Sequence, residues 1–159
     1  MNGLHETPGV ETVAVRLAEP SDRDALLELI AAYHAFEQIP HDPAATARAI
    51  APLLDHDDAG RIWLIEEGGQ TVGYVALCFG YSIEFGGRDA FVDEMFLVEA
   101  ARGRGLGKSA LDRVADAARG LGVKALHLEV ARDNIRAQRL YDRLGFALRD
   151  RYVLMSRTL

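Results

Sequence analysis

Arg102-Gly103-Arg104-Gly105-Leu106-Gly107 places three glycines at alternate positions between an apolar run that ends near Val98 and a helical run that starts at Gly105. Glycine reaches positive φ at little cost and lets the backbone approach a ligand closely, where a residue with a Cβ resists both. A strand that turns through such a loop into a helix leaves the first helical N–H groups and the positive end of the helix dipole facing outward. That arrangement is an anion site suited to phosphate. The chain is thereby constrained to a strand, loop and helix crossover around this point.

The flanking pattern supplies the other elements. Thr12 to Ala18 alternates as a strand. Ser21 then offers an N-cap, with Asp24 completing a capping box, for a helix through about Gln38 whose Leu26, Leu27, Ile30, Ala31 and Tyr33 share one face. Asp42-Pro43 reads as an N-cap with proline at the first position of a second helix, which fades by Asp55 to Gly60. Arg61 to Glu66, Thr71 to about Glu84, and Asp89 to Val98 read as three strands joined at Gly68-Gly69 and Gly86-Gly87, an antiparallel meander. Gly105 to Arg119 is a helix with Leu111, Val114, Ala115 and Ala118 on one face and glycines at its exit. Val123 to Val130 reads as a strand, Asn134 to Leu144 as a helix ended by Gly145, and Phe146 to Leu159 as a closing strand.

The expected order is β-α-α-β-β-β-α-β-α-β, an α/β chain with a mixed sheet, in which the crossover makes the Asp89 to Val98 and Val123 to Val130 strands parallel. A length of 159 residues, 49% of them hydrophobic, suits one domain over residues 13–159. Met1 to Thr12 lacks the basic start and apolar stretch of a signal peptide and is expected to be a flexible tail. The single cysteine, Cys78, excludes an internal disulfide and ends an apolar run as a buried thiol, in keeping with a cytoplasmic setting. A net charge of -6 disfavours nucleic acid, and no run has the length of a membrane helix.

Three phosphate sites compete for the glycine loop. Gly107-Lys108-Ser109 matches the end of a P-loop, but that motif needs glycine where this chain has Arg102. Gly105-Leu106-Gly107-Lys108-Ser109-Ala110 fits the dinucleotide fingerprint, with Glu129 at the end of the next strand. Against it, Glu99 to Arg104 separate the first glycine from its strand, and no second nucleotide-binding half follows. The third site is a resemblance. Leu97 to Gly107 resembles the central motif of the GNAT superfamily, Arg or Gln, two residues, Gly, one residue, Gly or Ala. Leu128 to Phe146, with Asn134, Tyr141 and Gly145-Phe146, is similar to that family's second motif at the family's spacing.

The resemblance implies a GNAT-like acyl-CoA N-acyltransferase fold with splayed central parallel strands, acetyl-CoA as cofactor, and N-acetyl transfer by direct attack of an amine. It implies that the backbones of Met95, Phe96 and Leu97 hold the pantetheine arm. The main-chain N–H groups of Arg102, Gly103, Arg104, Gly105, Leu106, Gly107 and Lys108 would hold the pyrophosphate, and Asn134 would hold cofactor or chain by its amide. Tyr141 stands at the family's general-acid position, where its phenol would protonate the departing thiolate.

Asp93 and Glu94 are adjacent acids in an apolar strand, so strand alternation sends one side chain to each face. One of them is expected to face the acetyl gap as base or cation contact, and the other to lie on a solvated face. Polyamine acetyltransferases of the superfamily carry a similar acidic pair, and Tyr33 to Glu37 resembles their acceptor-side helix, which makes Glu37 and Glu84 substrate contacts. His5, His34, His41, His56 and His127 show no metal-ligand spacing, so no metal is expected. Ser109 has no base partner for a covalent route. The expected partners are a small-molecule amine, preferably cationic, and a second copy in a homodimer, without nucleic acid or membrane. Protein N-termini or lysines are the second acceptor class, and a noncatalytic acyl-CoA-binding module is the rival from outside enzymology.

Overall fold

The computed structural model describes residues 13–159; the tail expected at Met1 to Thr12, and His5 with it, lie outside the described residues. β1 (Val13–Leu17) leads through a 3-10 turn, Pro20–Asp22, into α1 (Arg23–Glu37) and α2 (Pro43–Leu54). β2 (Gly60–Glu67), β3 (Gln70–Ser82) and β4 (Gly87–Leu97) form the meander, α3 (Leu106–Gly120) follows the glycine loop, and β5 (Leu126–His127) and α4 (Ile135–Arg143) come last. One five-stranded sheet has the order β1-β2-β3-β4-β5, antiparallel from β1 to β4 and parallel between β4 and β5.

Local chemistry explains most of the boundaries. The Asp42 carboxylate accepts the Ala44 and Ala45 N–H groups at 2.9 and 3.1 Å, the N-cap expected ahead of Pro43. The capping box at α1 sits elsewhere than expected. Glu19 and Asp22 bracket the 3-10 turn, with the Glu19 N–H donating to Asp22 at 2.8 Å, because Pro20 starts that turn before Ser21 can cap a helix. Gly68 and Gly69, at φ of 57° and 77°, form the two-residue turn that joins Glu67 to Gln70, a geometry whose twist matches the strands it connects. Arg16 ties β1 to its neighbours through Asp22 at 2.7 Å and Glu66 at 2.8 Å.

The sheet separates two cores. Leu26, Ile30, Ile50 and Leu54 of α1 and α2 pack on Ile62, Leu64, Tyr74, Ala76 and Phe96. On the opposite face, Ala110, Leu111, Val114 and Ala118 of α3 pack on Trp63, Ile65, Val75, Leu77, Ala90 and Val92, with Tyr141 and Leu144 of α4 at the margin.

Two expected strands differ. β5 is two residues long instead of eight, and its pairing with β4 is confined to Ala90 with Leu126 and Phe91 with His127. The expected strand over Phe146 to Leu159 is absent. Leu148, Val153, Leu154 and Met155 are exposed, and Arg149 lies on the rings of Phe85 and Tyr152 instead. Alternation describes the two faces of a strand but not the partner that must complete its ladder. A two-residue outer strand offers too little edge to pair with a further one. Leu64→Ala, at a site with no exposure, is expected to lower stability by about 2–5 kcal/mol, whereas Leu148→Ala should change it by less than about 0.5 kcal/mol. Urea midpoints at equal slope measure both, and equal losses would place the terminal segment against the core.

Candidate active site

The site starts from a register shift. Ala76 pairs with Glu94 and Leu77 with Val92, which leaves Asp93 as an extra residue in β4, a β-bulge. The bulge resets the strand's alternation. Ala90 and Val92 belong to the core under α3, while Phe96 belongs to the core under α1 and α2. The expectation that Asp93 and Glu94 point to opposite faces is corrected by this geometry. Both line one cavity of about 300 Å³ under α1 and α2, together with Ile30, His34, Tyr74 and Cys78.

Glu94 is held at both oxygens. The buried Tyr74 phenol donates to Oε2 at 2.7 Å, and His34 Nε2 lies 2.8 Å from Oε1. His34 Nδ1 in turn lies 2.9 Å from His41 Nδ1. Asp93 lines the cavity from an exposed position, so it stands at the rim and Glu94 farther in. Loss of hydration raises its carboxyl, Glu94 and Glu129 raise it further, and His34 pulls it down. Burial, then Asp93 and Glu94, push the Cys78 thiol up to about 11, so it stays protonated and is no nucleophile. Burial, with the fields of Glu37, Glu94, Asp93 and Tyr141, pushes the Tyr33 phenol up to about 12.

Beyond Phe91 the edge of β4 has no pairing with β5, and Met95, Phe96 and Leu97 lie along that open gap. The glycine loop is built beside it. Gly103 and Gly105 have φ of 77° and 83°, and Gly105 is the N-cap of α3 with no side-chain cap. The helical ladder begins where the Ser109 N–H meets Gly105 O at 3.1 Å, so the N–H groups of Leu106, Gly107 and Lys108 lie ahead of it. A Cβ on Gly107 would come within 3.2 Å of Met95 Cε and 3.6 Å of Leu97 Cδ1. Its absence lets the helix start lie against β4. The loop's cations turn to protein partners. Arg102 donates to Leu97 O at 2.8 Å and covers Phe36 and Phe96 at 4.5 and 5.3 Å, Arg104 meets Glu67 at 2.6 Å, and Lys108 meets Asp112 at 2.7 Å. What this helix start presents outward is thus a set of backbone N–H groups, an arrangement with the chemistry to bind phosphate.

Asn134 caps α4 by accepting the Ala137 N–H at 3.1 Å. Tyr141 sits on the inner side of α4 with its ring 5.8 Å from Phe146, and burial, then Glu37, raise its phenol above the ordinary range. Glu37 is exposed at the end of α1. Glu84 accepts Arg149 at 2.8 Å and borders a second cavity of about 890 Å³ between α3, β5 and α4, which Tyr141 also lines and which neither Asp93 nor Glu94 reaches. Among the described residues no group of three or more His, Cys, Asp or Glu side chains could hold a metal ion. Sequence reasoning missed Tyr74, His34 and His41. His34 had a signal, since it stands one helical turn beyond the buried Ile30; His41 had none.

Residues 23–146 match the acetyltransferase (GNAT) family. An uncharacterized N-acetyltransferase, YhfO, of Bacillus subtilis is 30% identical over 133 residues, 83% of this chain and 88% of that protein. An uncharacterized N-acetyltransferase of Methanocaldococcus jannaschii is 29% identical over 139 residues, and there the chain spans 62% of the relative's length. An integron cassette protein from the mobile metagenome of Cole Harbour Salt Marsh superposes with a TM-score of 0.81 at 37% identity, covering 91% of this chain and 90% of that one. The aminoglycoside N-acetyltransferase AAC(6')-Iy, solved with CoA, shares the fold at a TM-score of 0.80 and 15% identity, over 97% of this chain and all of its own. With the glycine loop, the open β4 edge and these likenesses together, the chain belongs to the GNAT family as an acetyl-CoA-dependent acetyltransferase.

Proposed function

We propose that the protein acetylates the primary amine of a small cationic molecule by direct transfer, with the amine entering the cavity that Asp93 and Glu94 share. The observation that carries this reading is the bulge, which turns two adjacent carboxylates into one anionic cavity wall beside the open β4 edge. A cation is drawn to such a wall, and apolar Ile30, Ile50 and Leu53 leave room for the rest of a compact amine. When bound, acetyl-CoA supplies the acetyl thioester.

The chain's own groups divide the remaining work. Main-chain N–H groups from Gly103 to Lys108 hold the pyrophosphate, the Arg102 N–H expected among them being spent on Glu99 O at 3.1 Å. The β4 edge at Met95, Phe96 and Leu97 orients the pantetheine arm, and Asn134 braces α4 beside it. Glu94, with Asp93 next to it, takes the proton that keeps the amine unreactive. Tyr141 Oη gives a proton to the leaving sulfur, and its raised affinity for that proton keeps it loaded at neutral pH. Glu37 contributes through its field on Tyr33 and Tyr141. The same reading puts the enzyme in the cytoplasm, where acetyl-CoA is made and used, and allows a homodimer, since none of these groups must come from a second copy. Thiol release with a panel of amines tests the acceptor class; transfer to peptide N-termini or lysines with small amines inert would move the reading to a protein acceptor.

Gly105→Asp is expected to abolish CoA binding in calorimetric titration, because any Cβ at φ of 83° is strained and the carboxylate repels phosphate. Gly107→Asp should do the same by displacing Met95. Retained binding in both variants, with melting temperatures matching the parent, would remove the loop from the cofactor site. Tyr141→Phe should keep the fold and CoA affinity and lose turnover by on the order of 10² to 10⁴. In the parent, activity should fall only above about pH 10, the ordinary phenol range, because burial and Glu37 push Tyr141 upward. That limb should vanish in the variant, and an unchanged rate and limb would make Tyr141 a packing residue.

A further inference from the structure

Acetylating a cationic amine takes two protons from its nitrogen. One replaces the proton that Tyr141 hands to the sulfur, and the other has to reach solvent. The cavity wall that receives it is half-buried, with side-chain exposures of 19% at Glu94 and 12% at His34, so direct delivery to bulk water is restricted. The structure contains a continuous alternative. From the Tyr74 phenol to Glu94, His34 and His41 the heavy-atom separations are 2.7, 2.8 and 2.9 Å, and His41 is exposed.

We propose that Glu94, His34 and His41 form a proton exit that carries the amine's proton from the acceptor cavity to solvent, resting on the acetyltransferase reading above. The geometry of the two rings argues for it. Two Nδ1 atoms at hydrogen-bond distance share one hydrogen, so one ring donates and the other accepts, and exchanging those roles is a proton transfer. At rest His34 Nε2–H donates to the Glu94 carboxylate and its Nδ1 accepts from His41 Nδ1–H. Transfer runs from the exchanged tautomers, with His34 Nδ1 donating and its Nε2 bare, as the ammonium N–H bond breaks and the new Glu94 O–H bond turns to that nitrogen. That proton passes from Oε1 to His34 Nε2 while the His34 Nδ1 proton passes to His41 Nδ1. His41 Nε2 then gives its proton to water. One proton enters, one leaves, and no electrons move. Both rings must afterwards return to their starting tautomers before the next cycle.

The surroundings fit this assignment. Tyr74 is a positioning residue, because its bond to Oε2 keeps Oε1 aimed at His34. His41 returns to His34 because α1 ends at Gln38 in a left-handed conformation, φ 57°, and the Ile39 N–H closes on His34 O at 2.8 Å. A side-chain residue in that conformation is uncommon, and here it reverses the chain so that the second ring meets the first. The titratable groups facing the relay are Tyr74 and Cys78 from β3, Asp93 from β4, Tyr33 and Glu37 from α1, and Glu129 beyond β5. Histidine is the side chain among these suited to exchange protons near neutral pH.

The test is His41→Ala, which removes an exposed ring and should leave the melting temperature as in the parent. The expected result is a kcat reduced by about 10²-fold, the lower end of what a positioned proton transfer contributes, an unchanged KM for acetyl-CoA, and an acid limb of the rate profile shifted from the parent's. Imidazole in solution should restore the rate, and His41→Gln, which bonds but carries no proton, should stay slow. Nitrogen-15 spectra of the imidazoles supply a readout apart from activity: His34 and His41 should titrate as a linked pair in the parent, and the His34 signal should move in His41→Ala. A variant equal to the parent in rate, profile and His34 spectrum overturns the relay while leaving the acetyltransferase reading intact. A parent that transfers acetyl to no amine, with a His34 signal indifferent to His41, overturns both.

Discussion

The extra residue at Asp93 is the constraint on which the site depends. Without it β4 would alternate from Arg88 to Leu97, and Glu94 would share a face with Val92, beneath α3, among Leu111 and Val114. A carboxylate there would be buried without partners, which costs several kcal/mol or forces it to stay neutral. The bulge instead turns Glu94 toward the Tyr74 phenol and the His34 imidazole that bond it, two residues beyond the last β4 residue that pairs with β5. One local irregularity thus brings the two acids to one cavity, next to the stretch of β4 that β5 leaves unpaired. Bulges re-aim side chains in this way near active sites.

The two helices ahead of the meander have a matching duty. α1 and α2 cover the face that carries Tyr74 and Phe96, and they bring an apolar roof of Ile30, Ile50 and Leu53 over Glu94, with Asp93 exposed at its rim. The roof lowers the hydration of every charge beneath it, which is why Asp93, Cys78 and Tyr33 all hold their protons more tightly. Packing and chemistry share the same residues here.

Much of this was legible in the sequence, for reasons specific to each element. The glycine loop, the Gly68-Gly69 turn and the Asp42-Pro43 cap are local backbone chemistry, and local chemistry can be read residue by residue. The bulge was not legible, since it is a mismatch between two strands and exists only once β3 and β4 are aligned. Reading β4 alone sent Asp93 and Glu94 apart. The terminal strand failed for a related reason: Phe146 to Leu159 alternates well enough, but its ladder needs a neighbour that β5 is too short to provide. Glu84 and Glu37 show the limit of analogy, because the first pairs with Arg149 at another cavity while the second lies within reach of Tyr33 and Tyr141 by its field. His41 was invisible because its placement hangs on a left-handed residue, Gln38, that has no sequence signature.

The cations of the glycine loop carry a consequence for how the site responds to its medium. Arg102 is spent on a carbonyl and two aromatic rings, Arg104 on Glu67, and Lys108 on Asp112. Charges already matched at contact distance project little field beyond a Debye length of about 8 to 10 Å. What the loop itself presents is therefore short-range main-chain dipoles, which dissolved ions screen poorly, while the Arg136 guanidinium beside Gly103 adds a charge from α4. A phosphate held by such a loop would answer first to the shape of the backbone, and its response to ionic strength would be set by one neighbouring guanidinium instead of a cluster of free cations.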